Sequence, residues 1–259
     1  MKDKKSLARK GYASFYSGIS GLKLDIPKYL FPDPYKNASR LTYYSSLFNS
    51  IEVNSSFYKL PQAATVSKWK DSVNDNFKFT FKIWKQLTHL KGFNFLKSDV
   101  ELFFKSVATA GDKKGCILVQ LPPSSGINNI TRLSKLLKYI NTSNARHEWN
   151  IAVEFRNSSW YDEKVYELLH AYKAAIVIHD IPKSATPMIE HTADFLYVRF
   201  HGPTGNYRGS YTEQFLSEYA AYIDEWREEG KTVYAYFNNT MGDAFQNLKT
   251  LNSLVKKKF

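Results

Sequence analysis

Six short runs in this chain follow one rule, and the rule leaves few folds open. Side chains of an extended segment alternate between its two faces. In Tyr197-Val198-Arg199-Phe200-His201-Gly202 this puts Tyr197, Arg199 and His201 on one face, with Leu196, Val198 and Phe200 on the other. Ile51-Glu52-Val53-Asn54 sets Glu52 and Asn54 against two β-branched residues, and Phe79-Thr80-Phe81-Lys82 sets Thr80 and Lys82 against two phenylalanines. Gln120 closes the run from Ile117, Glu154 and Arg156 close the run from Ile151, and Asn238 followed by Asn239 closes the run from Val233. Each run is oily on one side and carries its polar groups at its C-terminal end. A parallel sheet closed into a barrel has this pattern, with helices outside and ligands met where the strands end.

Helix signals fill the gaps. Ser39 is placed to cap a helix through Leu41, Tyr44, Leu47 and Phe48, and Val66, Trp69 and Val73 mark the next. Ser98 opens a helix with Val100, Phe103, Phe104 and Val107, and another runs from Ile127 to Ile140. Val165, Leu168, Leu169 and Tyr172 share a face; Thr212 caps a helix through Phe215, Tyr219, Ile223 and Trp226; the last runs from Ala244 to Val255. Ala13 to Gly21 supplies a first strand whose facing is open, and Ala175 to Ile178 a sixth ending in His179-Asp180. Eight strands alternating with helices over 259 residues predict one α/β domain, a single (β/α)8 TIM barrel over residues 11–259. The alternative is an open doubly wound sheet.

The net charge of +12 raises the question of a nucleic-acid partner, and its placement answers part of it. Lys2, Lys4, Lys5, Arg9 and Lys10 against Asp3 make residues 1–10 a basic tail, and Lys256, Lys257 and Lys258 close the chain, which leaves +5 for the body. Both ends of such a barrel emerge opposite the mouth, so the tails read as solvated ends, with nucleic-acid binding through tails and basic surface as the alternative. No apolar run approaches a membrane span and no secretory segment follows Met1, so a cytoplasmic protein with no membrane partner is expected. Cys116, the one cysteine, sits in an apolar run and reads as a reduced core residue.

Asn54-Ser-Ser-Phe-Tyr58, Thr88-His89, Gln120-Leu-Pro-Pro123, Glu154-Phe-Arg156 with Ser159-Trp160, Tyr197-x-Arg199-x-His201-Gly202 and Tyr236-Phe-Asn-Asn239 form an ordered set. Together they resemble the YecE-like family, domain of unknown function 72, from Gly18 almost to the C-terminus. The resemblance implies a TIM barrel, in line with the strand count, and supplies no reaction. Where the family has glycine-threonine-serine-glycine-tryptophan, this chain has Gly18-Ile19-Ser20-Gly21-Leu22, so an aromatic wall expected at the first turn is missing.

The candidate mouth residues are Ser20, Glu52, Asn54, Tyr58, Lys82, His89, Gln120, Glu154, Arg156, Asp180, Arg199, His201, Asn238 and Asn239. Buried unpaired charges cost several kcal/mol, so these groups pair with each other or meet a ligand. Arg156, Arg199 and Lys82 suit a phosphate or carboxylate clamp. Glu154 or Glu52 would serve as general base or acid and His201 as proton shuttle, giving hydrolysis or another proton transfer on a small anionic substrate. Cations beside Glu154 would keep it ionised. If the ion pairs are purely structural, Glu154 is held by Arg156 or Arg199 and Glu52 by Lys82. A divalent metal on Glu52, Glu154, Asp180 and His201 is an alternative, ranked lower because no tight His-x-His spacing occurs; no other cofactor is expected. A glycosidase pair made of Glu52 and Glu154 is a third, decided by their separation. His89, His179 and His191 read as hydrogen-bonded loop histidines, and Trp160 as a helix-start anchor. Tyr207 and Tyr211 flank Gly209 where either a lid or a plain loop would lie. Oligomeric state is left open.

Overall fold

The computed structural model describes residues 12–146, 148–187 and 191–256. The basic tail expected over residues 1–10, with Lys257 and Lys258, lies outside them. Eight strands form one parallel sheet: β1 (Phe15–Ile19), β2 (Ser50–Val53), β3 (Lys78–Lys82), β4 (Lys114–Gln120), β5 (Asn150–Glu154), β6 (Ala175–His179), β7 (Phe195–Phe200) and β8 (Thr232–Phe237). Their order is β1-β8-β7-β6-β5-β4-β3-β2. Helices α1 (Arg40–Leu47), α2 (Ser55–Tyr58), α3 (Ala63–Asp71), α4 (Lys97–Val107), α5 (Ile130–Ser143), α6 (Glu163–Ala171), α7 (Glu213–Glu228) and α8 (Ala244–Leu254) lie between and after the strands. Among the described residues no helix separates β6 from β7. This is a (β/α)8 TIM barrel.

The barrel closes at a seam made largely by side chains. Between β1 and β2 there is one parallel bridge, Ser20 to Glu52. The Tyr44 hydroxyl, reaching in from α1, accepts from the Ile19 N–H at 2.8 Å and donates to the Ser50 carbonyl at 3.0 Å. Asn49 does the same one step lower, accepting from the Ser17 N–H and donating to the Phe15 carbonyl. The strands come so close that a Cβ on Gly18 would collide with the Ser50 carbonyl. Glycine there is a requirement of closure.

The alternation expected from sequence holds. Ile51, Val53, Phe79, Phe81, Ile117, Val119, Leu196, Val198 and Phe200 belong to the large outer core beneath the helices. The barrel interior is a separate cluster of Cys116, Leu118, Ala152, Ala175, Val177, Phe195, Tyr197, Tyr234 and Tyr236. Small residues on β5 and β6 there face tyrosines on β7 and β8, which is how a narrow barrel is filled without voids. Tyr236 pairs its hydroxyl with Ser50 at 2.6 Å and Thr80 at 2.7 Å, so it is not left unsatisfied. The facing of β1 is now fixed: Ile19 joins the outer core, and Ser20 reaches inward to Glu52.

Ser39 and Thr212 cap α1 and α7 as expected, each side chain accepting a backbone N–H. Helix boundaries shift by one to three residues elsewhere: α1, α6 and α8 stop one residue short of Phe48, Tyr172 and Val255, and α5 begins at Ile130 after a 3-10 turn and runs on to Ser143. Ser98 lies inside α4, whose first residue is Lys97 and whose N-cap, Leu96, makes no side-chain cap. Val73 falls beyond α3, which ends at Asp71. Helix ends depend on local backbone geometry that an apolar stripe does not encode.

Candidate functional site

Where the strands end, charges gather in two levels. The lower is a closed network centred on Arg199 of β7. Its guanidinium grips Glu52 with two bonds, Nε to Oε2 at 3.0 Å and Nη2 to Oε1 at 2.7 Å. Nη1 donates to Glu154 Oε2 at 2.5 Å. Glu52 also accepts from the Tyr197 hydroxyl at 2.5 Å and the Ser20 hydroxyl at 2.7 Å. The second Glu154 oxygen accepts from Arg156 Nε. Glu52, Glu154 and His201 have no solvent exposure, and Arg199 has 1%.

Burial works against the charged form of Glu154, but Arg156 and Arg199 outweigh it and hold the carboxyl well below the usual range. Burial likewise disfavours the Arg199 charge, and Glu154 and Glu52 together keep it firmly protonated. Glu154 is therefore ionised, as expected. The partner expected for Glu52 is corrected: Arg199 holds it, while Lys82 donates to Gln120 Oε1 at 2.8 Å. The guanidinium lies between the two glutamates and contacts both, so the space a glycosidase pair keeps for a sugar is occupied.

His201 can be assigned a tautomer. Arginine only donates, so the contacts from Arg156 Nη2 at 3.1 Å and Arg199 Nη1 at 3.2 Å must be accepted by Nε2. The ring proton then sits on Nδ1, 3.2 Å from Asp180 Oδ1. Burial, aided by Arg199, lowers the His201 pKa to about 4 against the pull of Asp180, so the ring is neutral at pH 7. With its lone pair taken by two guanidinium groups, His201 is in no position to act as the expected shuttle. Asp180 stands behind it, accepting from the His201 N–H at 2.8 Å and from the Tyr211 hydroxyl.

The upper level is open. A cavity of about 190 Å³ is lined by Asn54, Phe57, Tyr58, Lys82, Gln120, Arg156, Arg199, Tyr207 and Asn238. It brings together residues from six strand ends, and every charge in its lining is positive. Arg156 Nη1 donates to the Tyr207 hydroxyl at 3.1 Å, and Lys82 Nζ sits 4.2 Å from the centre of the Phe57 ring. Burial, and then the Arg199 charge, lower the Lys82 pKa to about 8. The Asn54-Ser-Ser-Phe-Tyr run owes its geometry to Ser56, whose hydroxyl lies 2.7 Å from the carbonyls of both Val53 and Lys82. That tie turns the single-turn helix α2 so that Phe57 and Tyr58 form one wall.

Three expected ligand contacts lie elsewhere. Asn239 is fully buried and its amide donates to the Gly209 carbonyl and Asn247 Oδ1, fastening a loop. His89 packs edge-on against Phe57 with Nδ1 on the Thr88 hydroxyl, behind the wall. Asp180 supports His201 as described. Ser20, Glu52, Glu154 and His201 lie in the lower level. His179 is the hydrogen-bonded structural histidine expected, with Nε2 2.8 Å from the Phe155 carbonyl, though it ends β6 rather than sitting in a loop. Trp160 is buried, stacked on Phe155, and donates to the Ser125 carbonyl, the anchor role expected of it.

Phe57 and Tyr207 were absent from the expected lining. Phe57 stood in the quoted motif, but alternation says nothing of a residue in a helical turn. Tyr207 adopts φ of 66° between Gly205 and Gly209, a left-handed conformation uncommon for a residue with a Cβ. Its N–H donates to the His201 carbonyl and its carbonyl accepts from the Met241 N–H. Tyr211 is buried and tied to Asp180. These bonds hold the segment as one wall of the cavity in this structure.

The donor set does not suit the metal expected as an alternative. Among the described residues no three of His, Cys, Asp or Glu converge as ligands. Arg199 stands between Glu52 and Glu154, and His201 turns its free nitrogen toward arginines. No helix among the described residues is long and apolar enough to cross a membrane.

Known proteins share this framework. UPF0759 protein YunF of Bacillus subtilis is 28% identical over 260 residues, covering 87% of this chain and 90% of its own. UPF0759 protein YecE of Escherichia coli is 26% identical over 118 residues, 46% of this chain and 42% of its own length. A crystal structure of a DUF72 family protein from Thermotoga maritima has a TM-score of 0.75 at 26% identity, covering 93% of this chain and 98% of that one. One from Enterococcus faecalis has a TM-score of 0.77 at 21% identity, covering 95% and 96%. The model of the family described as protein of unknown function DUF72 matches residues 16–259, and this chain belongs to that family.

Proposed function

We propose that this protein binds a small phosphate- or carboxylate-bearing molecule at the mouth of the barrel and acts on it by proton transfer. The observation that carries the reading is the cavity lining, which holds Lys82, Arg156 and Arg199 and no carboxylate. Each arginine keeps one N–H uncommitted and Lys82 keeps two, all of them donors that suit an oxyanion. Asn54 Oδ1 is buried without a partner, a condition that a hydroxyl on the same ligand would relieve. At about 190 Å³ the cavity takes a small solute and excludes a bulky one.

In this reading Glu52, Glu154 and His201 hold the arginines in place and do not face the ligand. The proton carrier is Lys82, which lines the cavity and whose pKa burial and then Arg199 bring down to about 8. Calorimetric titration with inorganic phosphate and with pyruvate tests it. Millimolar or tighter binding that Arg156→Gln weakens at least about tenfold is expected, given about 1.5–3 kcal/mol for a charge-assisted hydrogen bond. Binding unaffected by that substitution sinks the reading.

A second reading is favoured by the loops around the mouth. Lys28, Lys59, Lys85, Lys91 and Arg208 are exposed there, beside Tyr29 at 82% and Tyr58 at 70% exposure. Cations and exposed aromatic rings suit single-stranded nucleic acid that inserts one phosphate into the cavity. It requires binding of an oligonucleotide that falls steeply with salt and is lost in Tyr58→Ala.

A further inference from the structure

Lys82 differs from the other two cations of the cavity. Both arginines are paired with buried glutamates, whereas no carboxylate among the described residues comes within 4.0 Å of Lys82 Nζ. Among the described residues it hydrogen-bonds to Gln120 Oε1 alone, at 2.8 Å, and Phe57 covers one side of it. An ammonium flanked by guanidinium groups and largely buried is in the setting that turns lysine into a nucleophile, since like charges and burial both favour the free amine, against the smaller cation–π pull of Phe57. Gln120 takes one N–H and so fixes how the amine faces the cavity.

We propose that Lys82 forms an imine with a small carbonyl compound that carries a carboxylate or phosphate, the anionic group being held by Arg156. The proposal rests on the anion-binding reading above and narrows its substrate class. The neutral Lys82 amine attacks the carbonyl carbon; a C–N bond forms as the C=O π pair moves to oxygen. That oxygen takes a proton from the Tyr207 hydroxyl, which accepts from Arg156 and so has its own hydrogen free to donate into the cavity. The carbinolamine nitrogen returns a proton to Tyr207. A second protonation of the oxygen, from the same hydroxyl, then lets the C–O bond break, water leaves, and the nitrogen lone pair closes the C=N bond. One proton from solvent, equivalent to the one Lys82 gave up in becoming the free amine, restores the Tyr207 hydroxyl, so that overall ammonium and carbonyl give a protonated imine and water, with no oxidant or reductant consumed.

Pyruvate, glyoxylate and dihydroxyacetone phosphate, each with sodium borohydride, test this on the full chain by intact mass and peptide mapping. The expected result is one reduced adduct per chain, on Lys82, with a rate that falls as pH drops below about 8 as the free amine is lost. Lys91, exposed on a nearby loop, serves as the internal reference and should be labelled at least about tenfold more slowly, a rate ratio equivalent to about 1.4 kcal/mol. Inorganic phosphate should slow labelling of Lys82 and not of Lys91. Lys82→Arg, which keeps the charge and the fold, should abolish the adduct. Labelling spread evenly over exposed lysines overturns the proposal. Pyruvate or phosphate binding by calorimetry without any adduct overturns the imine and leaves the anion reading standing; absence of both binding and adduct overturns the two together.

Discussion

The two levels of charge at the barrel mouth contain similar residues and differ in what those residues touch. In the lower one, Arg199 has a glutamate on each side that balances its charge, and it is almost wholly buried, with one edge at the floor of the cavity. In the upper, Lys82 at the end of β3 and Arg156 two residues past Glu154 face a cavity with no carboxylate in its lining. The first arrangement fixes a fold and the second is open to a ligand. An ion-rich strand end thus need not be one site: the same strands supply a structural layer and a binding layer in succession.

Removing the central cation is the strongest way to break this contrast. Arg199→Ala leaves Glu52 buried with no cation and Glu154 with Arg156 alone, and should cost about 3–5 kcal/mol in urea unfolding. A midpoint close to that of the parent would mean the lower level is not structural. Next in size is the seam: Gly18→Ala drives a Cβ into the Ser50 carbonyl and should destabilise by about 1–3 kcal/mol, measured the same way.

Acid should act on His201 of the lower level in the same window as His89 behind the upper wall. The His201 pKa is lowered in the folded protein to about 4 from an ordinary 6.5, so the unfolded chain takes up the proton first as pH falls. Stability held above pH 6.5 is therefore lost progressively down to about pH 4, by up to roughly 3 kcal/mol. Glu154, held below its ordinary value, adds a further loss as pH falls below about 4.5. His201→Asn should reduce the slope between pH 6.5 and 4 in a pH series of unfolding curves, with His89 and His179 supplying what remains; an unchanged slope would assign the whole loss to those groups.

The upper level should show the reverse signature, large in binding and small in stability. Lys82→Met should change the unfolding free energy by less than about 1 kcal/mol, because no ion pair is broken, while weakening phosphate by about tenfold or more. Parent affinity for phosphate should decline above pH 8 as Lys82 loses its proton. Tyr58→Ala, at an exposed position, should leave stability within about 0.5 kcal/mol and alter only affinity for ligands that extend past the cavity. Equal stability effects at Lys82 and Arg199 would erase the distinction between the levels.

Sequence alone determined the barrel and the facing of most strands, because alternation has a period of two and each outward face had to be apolar to meet the helices. It determined that Glu52, Glu154, Arg156 and Arg199 come together, since strand ends in a closed parallel sheet share one rim. Only the tertiary structure decided the pairings. Which carboxylate meets which cation depends on the stagger of strands around the barrel, and it gave Glu52 to Arg199 rather than to Lys82. It also placed Tyr207 and Phe57 in the wall and withdrew His89 and Asn239, because loop residues follow hydrogen bonds such as those of Ser56 and Gly209 and obey no period that a sequence displays.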